Sequence, residues 1–356
     1  MSKQQHLTLL AQGVPVWNRW REQAQAAVFN SPAVWSKSES AHQSRDLDLR
    51  EALLAQVDLR KINLSHADCC MVTLKGSDLS GADLREAIFY TADLSQVNLS
   101  EANLLGSDLR EATLEGANLY RANLDVATLS IADLSLANLR EASLRDTNLS
   151  HANLSGADCC LANFGRSNLA QANLASITLY TAQCQKANFK QTDLFQADLR
   201  EANFSQANFQ EATARKANFS MAVLCLANLV GATLHSANLS MANLSIANLC
   251  MANLTAANLS HAILIGANLI GTNFYQANLT KARLKEADLR EAMLNQANLA
   301  GADLSRANLA MANLREANLT GANLSHADLT KTNLEEAQLD GAYLRGAKMP
   351  DGSIHD

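Results

Sequence analysis

Proline is almost missing from this sequence. Its three prolines, Pro15, Pro32 and Pro350, stand near the two ends of the 356 residues. A backbone that needs every N–H for pairing would exclude proline from the interior in this way. Basic excess is also missing. Lys and Arg number 29 against 35 Asp and Glu, a net charge of -6, which gives no basic footprint for nucleic acid. No apolar run is continuous over the length of a membrane helix, so no membrane span is expected. The N-terminal "MSKQQHLTLLAQGVPVWNRW" has an apolar run broken at Gln12, short of a secretory core, and a cytoplasmic location is expected. The seven cysteines (69, 70, 159, 160, 184, 225 and 250) fit no zinc or redox spacing, and the eight histidines are dispersed. Reduced thiols are expected, with no metal and no cofactor. The most local absence is of charge: no Asp, Glu, Lys or Arg occurs between Lys216 and Lys281.

What is present is a five-residue repeat. In "ANLSMANLSIANLCM", Ala, then Asn or Asp, then Leu recur every fifth residue. The frame holds without insertion from "LDLRE" at Leu47–Glu51 to "AKMPD" at Ala347–Asp351, about sixty pentads on one register. An α-helix turns about 100° per residue, so five residues drift by roughly 140° and smear the leucines around its surface. A plain strand puts Ala and Leu on one face and then flips at the next Ala. The conflict disappears if the chain turns a corner in each pentad. Four corners close a coil of twenty residues with Ala and Leu facing its axis, and coils stack at roughly 4.8 Å.

This pattern resembles the pentapeptide-repeat family, with its motif A(D/N)Lxx, over residues 47–351. The resemblance implies an all-β fold, a right-handed quadrilateral β-helix of about fifteen coils on the order of 70 Å long, with a short N-terminal helical cap. "HLTLLAQGVPVWNRWR" at His6–Arg21 is similar to a segment preceding the repeats in many cyanobacterial members, although here the repeats begin later. The domains expected are 1–46 as helical cap and loop, 47–351 as β-helix and 352–356 as tail. Leu9, Leu10, Val14, Trp17 and Trp20 fit one side of a helix that covers the first coil, and Gly13–Pro15 interrupts it. Phe29 and Trp35 are expected to anchor the next segment, and "SKSESAHQS" to form a solvated loop. Near the end, the Pro-Asp-Gly turn of "KMPDGSIHD" is expected to stop the ladder.

No catalytic constellation stands out. In "HADCC" and "GADCC", Cys69 and Cys159 take inward Leu places while Cys70 and Cys160 face outward, so neighbours cannot share one metal ion. The cysteines read as small core residues. Phe164, Phe189 and the group Phe204, Phe209 and Phe219 stand next to small inward residues such as Cys159, Cys184 and Ala214, whose voids a ring can fill. The recurrent Arg-Glu-Ala at Arg50, Arg85, Arg110, Arg140, Arg200, Arg290 and Arg315 falls on all four walls, a pattern of solubility and not of one docking stripe.

The uncharged belt carries the functional expectation. Stacked by twenty, one wall presents Leu226, Ile246 and Ile265, the next Val230, Met251 and Ile270, and a third Tyr275. Two adjacent walls would share an apolar corner of a few hundred Å², a size that marks interaction surfaces. The function expected is a non-enzymatic rigid scaffold mediating protein–protein interaction, with an unidentified protein partner or self-association through this belt. Some relatives regulate differentiation in filamentous cyanobacteria. Others mimic DNA and inhibit a type II topoisomerase, the alternative, but those are strongly acidic dimers joined through C-terminal helices, whereas acidic and basic residues alternate here.

Overall fold

A computed structural model of the chain describes residues 1–29 and 47–356. It forms two compact units, Met1–Asn168 and Leu169–Asp356, each built of the same pentad. The expectations for Trp35 and for the 36–44 loop, and for the side chain of Phe29, lie outside the described residues.

Each pentad contributes one paired residue and one turn. The Asn/Asp position bridges in parallel to the residues twenty before and twenty after it, as in Asn98↔Asn118 and Asn238↔Asn258. The Leu N–H donates to a carbonyl nineteen residues on, as from Leu119 to Asn138 at 2.7 Å. The Asn/Asp N–H donates to one twenty-one residues back, as from Asn138 to Ala117 at 2.9 Å. Each unit is therefore a right-handed quadrilateral β-helix of twenty-residue coils. Between walls the Leu carbonyl accepts from the next Ala N–H, as Ala122 to Leu119 at 3.0 Å. The residue before that Ala has positive φ in every pentad from Glu51 to Gly346. A β-turn with left-handed backbone at its third residue is of type II and favours glycine. Most of these positions are not glycine: Glu51, Ile131, Ile246 and Met251 all adopt φ near 60°.

The interior is as the pentad implies. Leu and Ala of the frame are buried, Leu254 and Ala252 among them. Thr272 and Thr332 replace inward Ala, and each hydroxyl donates at 2.8 Å to a carbonyl, of Leu249 and Leu309, which meets the cost of a buried polar group. Phe189 stacks on Phe209 one coil above, centroids 4.7 Å apart, and Phe204 and Phe219 meet Phe209 edge-on. Ala214, on the wall between those of Phe209 and Phe219, is buried. Cys69, Cys159 and Cys184 are inward and buried. Cys160, expected to face outward, is also buried, because the first turn residue is partly covered by its neighbours.

The Asn/Asp position stands outward at the centre of each wall. Its Oδ1 accepts from the N–H two residues on, as Asn258 from Ser260 at 3.1 Å. Where the position repeats on the next coil, the carboxamides also pair, Asn118 Nδ2 donating to Asn98 Oδ1 at 3.0 Å and Asn138 Nδ2 to Asn118 Oδ1 at 2.9 Å.

The cap has two helices. α1 (Lys3–Leu10) begins in a capping box of Ser2 and Gln5, which satisfies two free N–H groups. It ends at Gly13, whose φ of 97° suits glycine. α2 (Val14–Phe29) starts with proline in its first turn, where the missing N–H costs nothing. Trp17 is fully buried and donates from Nε1 to the Asn63 carbonyl at 2.8 Å. Asn18 donates to the Lys61 carbonyl at 2.9 Å and accepts from the Asn63 N–H at 2.9 Å. Arg21 donates to the Ser65 carbonyl at 2.6 Å. α2 therefore pairs the backbone edge of the first coil, the kind of edge that otherwise invites association. At the other end the chain turns back, and Ile354 bridges antiparallel to Lys348.

Two tests follow from this architecture. Leu254 is buried and Ala256 exposed. Leu254→Asp should cost about 4 kcal/mol or more, whereas Ala256→Asp should leave the thermal midpoint almost unchanged; equal midpoints would invert the inward–outward assignment. His6 is buried beside Trp17 and Trp20, and burial lowers its pKa from the ordinary 6.5. A depressed histidine stabilises the docked cap above its unfolded pKa, and that contribution is lost as pH falls through the folded value. Tryptophan fluorescence should report cap loosening below about pH 6, and His6→Phe should remove that pH dependence.

Candidate interaction surface

The uncharged belt lies wholly within the second unit. The two residues after each Leu occupy corners, and the Asn/Asp position occupies the walls between them. Leu226, Ile246 and Gly266 stack at one corner, with the half-buried Cys225, Ser245 and Ile265 beside them. Leu226 is 52% and Ile246 63% exposed. Gly231, Met251 and Gly271 stack at the next corner, with Val230, Cys250 and Ile270 half-buried. Met251 is 68% exposed and lies across Gly271, its Sδ 2.6 Å from where a Cβ would stand; any side chain there would displace it. Of the seven residues singled out in the sequence, the structure groups Leu226, Ile246 and Ile265 at one corner and Val230, Met251 and Ile270 at the next. Tyr275 stands at a third corner, half-buried, and does not join them.

The walls decide which corners are continuous. Between the two apolar corners stand Asn228, Asn248 and Asn268, accepting from the N–H groups of Val230, Cys250 and Ile270 at 3.2 Å each. A polar seam therefore divides them. The wall on the other side of Leu226 and Ile246 carries Val223, Asn243 and Ile263, and beyond it Met221 and Met241 are exposed at the fourth corner. There Val223 and Ile263 link the two corners with apolar side chains, on either side of Asn243. Val223 and Ile263 escaped sequence reasoning, which followed the two positions after each Leu. The available signal was their departure from the Asn, Asp or Thr of neighbouring pentads.

Charge resumes at both edges of this wall. Lys281, Arg283 and Lys285 are exposed on the coil above Ile263; Lys285 lies 3.8 Å from Glu286. Glu201 is exposed on the coil below Val223 and accepts from the Tyr180 hydroxyl at 3.3 Å. Elsewhere, charges are mostly consumed locally. In the Asp-Leu-Arg-Glu pentads the Asp accepts from its own Arg, as Asp48 from Arg50 at 2.8 Å and Asp288 from Arg290 at 2.7 Å. The Arg50 hydrogen bond holds Asp48 down to about 2, and Arg290 likewise lowers Asp288. Burial pushes the Cys70 thiol up to about 12, assisted by Asp68. Among the described residues no group of His, Cys, Asp and Glu is placed to hold a metal ion, and none of their helices is long and apolar enough to cross a membrane. The chemistry this surface offers is apolar contact.

The family model described as Pentapeptide repeats matches in successive segments between residues 48 and 351. A comparison with curated proteins finds no match. Among solved structures, HetL, a pentapeptide repeat protein involved in heterocyst differentiation regulation from Nostoc sp. strain PCC 7120, is 35% identical. That alignment covers 67% of this chain and 92% of HetL, with a TM-score of 0.24. Rfr23 from Cyanothece 51142 is 41% identical over 32% of this chain and 64% of its own, with a TM-score of 0.13. QnrB1, a plasmid-mediated fluoroquinolone resistance protein, is 19% identical over 66% of this chain and 87% of its own, with a TM-score of 0.25.

The cysteines give a direct map of this surface. Cys225 and Cys250 are half-buried at the two belt corners, whereas Cys69, Cys159 and Cys184 face the axis. A thiol reagent at mild alkaline pH should label Cys225 and Cys250 in the native chain and the three inward cysteines only after denaturation, as read by peptide mass spectrometry.

Proposed function

The chain belongs to the pentapeptide-repeat family, and on that premise we propose that it is a non-enzymatic scaffold that binds another protein through the uncharged belt of its second unit. The observation that carries this reading is the exposure of Leu226, Ile246 and Met251 on successive coils at adjacent corners, in a stretch without a single formal charge. Stacking asks only for inward Leu and Ala, so nothing in the fold requires apolar residues at these corners. Exposed clusters of this kind mark contact surfaces, and Met and Cys adapt to a partner's shape. HetL, with its role in differentiation regulation, supports a regulatory form of this reading. A DNA-like surface would need sustained acidity; here Asp48, Asp198 and Asp288 are each neutralised by an Arg two residues on.

The test places two lysines at one belt corner, Ile246→Lys with Ile265→Lys. The control places them on the opposite corner of the same unit, Ala256→Lys with Gln276→Lys. Both doubles should fold. Retention of the native protein partner in pull-downs should drop about tenfold or more for the first double alone; equal retention would remove the belt from the binding surface.

A further inference from the structure

We propose that the wall bearing Val223, Asn243 and Ile263 pairs with the same wall of a second copy about a two-fold axis through Asn243. This rests on the reading of the belt as a contact surface and names a partner for one side of it. Coils stack in register every twenty residues. A two-fold axis lying in the interface along the coil of Asn243 therefore brings each residue opposite the one at its own corner an equal number of coils on the other side of that coil, the isologous relation of a symmetric dimer.

The partners so assigned are complementary. Val223 meets Ile263 of the second copy, and Cys225 meets Ile265. At the edges, Lys281 meets Glu201, the acidic residue two coils below the axis at the same corner. Lys285 meets Ser205 and Arg283 meets Asn203, so none of these three cations faces a cation. The wall is also modified at its centre. Val223 and Ile263 replace the side chains that elsewhere accept from the turn N–H, and they interrupt the carboxamide pairing seen from Asn98 to Asn138. Asn243 accepts from the N–H and hydroxyl of Ser245 at 3.1 and 2.7 Å. Its Nδ2 faces apolar neighbours on both coils, where the Asn118 amide finds Asn98. Local hydrogen bonding has been given up on this wall in favour of apolar surface, which only a covering surface makes useful. The charge pattern fits a second copy better than a uniformly acidic or basic partner, because the two edges differ in sign.

Five coils span about 24 Å, so the pair buries less than the roughly 800 Å² per partner of a standard interface. The association is reversible and concentration-dependent. Sedimentation of the full chain tests it over a range of concentrations. Wild type should dimerise. Val223→Asn with Ile263→Asn restores the residue usual at the wall centre, and should preserve or raise thermal stability while weakening the dimer about tenfold or more. Lys281→Glu and Glu201→Lys should each weaken it, and the double exchange should recover it to within about threefold of wild type. A wild type that stays monomeric at its highest soluble concentration overturns the pairing, and leaves partner binding at Ile246 and Ile265 to be judged by its own assay. A dimer indifferent to the Asn double variant, or not rescued by the double exchange, also overturns it.

Discussion

A hydrogen bond between residues nineteen places apart governs each repeat unit. It runs from the Leu N–H of one coil to the carbonyl at the Asn/Asp position of the next, and it can form only if every coil contains four pentads. All else is arranged to keep that count. Ala beside Leu fills the axis without forcing the walls apart. Thr272 and Thr332 enter the same positions because each hydroxyl reaches a carbonyl. Phe209 and Phe219 stand on the walls to either side of the small Ala214, where an unfilled void would be costly.

The corners bear the strain of this arrangement. A left-handed backbone costs an ordinary residue roughly 1–2 kcal/mol, and such a residue occurs in nearly every pentad. The cost is offset locally. The turn closes with its own hydrogen bond, and the wall's Asn or Asp accepts from the first turn residue's N–H. With those bonds in place the corner side chain is released from any duty in folding, so Glu51 and Ile246 serve equally well there.

The inward positions were legible in the sequence because burial imposes one demand, small then large, at fixed spacing, and Leu254 and Ala252 obey it without ambiguity. The cap was legible through Trp17, a large apolar residue ahead of an edge that needed cover. The left-handed corners were not legible, because the usual signal is glycine and here the residue is as varied as Glu51, Ile131 and Met251. Asn and Asp favour turns, and here they serve the turn from the wall. Of the belt, Leu226, Ile246 and Met251 were visible as departures from charge. Val223 and Ile263 were not sought, because a residue between two inward neighbours reads as part of a wall before it reads as part of a surface.

Because hydrogen-bond partners are set by counting to twenty, a change in length acts on this fold as a rotation. Loss of one residue would turn every later leucine away from the axis. Loss of a whole coil would leave every later side chain at its old corner, one step lower. Loss of a single pentad lies between: the interior would remain Ala and Leu, yet everything beyond would swing by a quarter turn. A recombination event of fifteen base pairs can thus carry an existing surface to a new side of its unit without composing a new one. In such a chain, the direction a binding face points is inherited separately from the residues that form it.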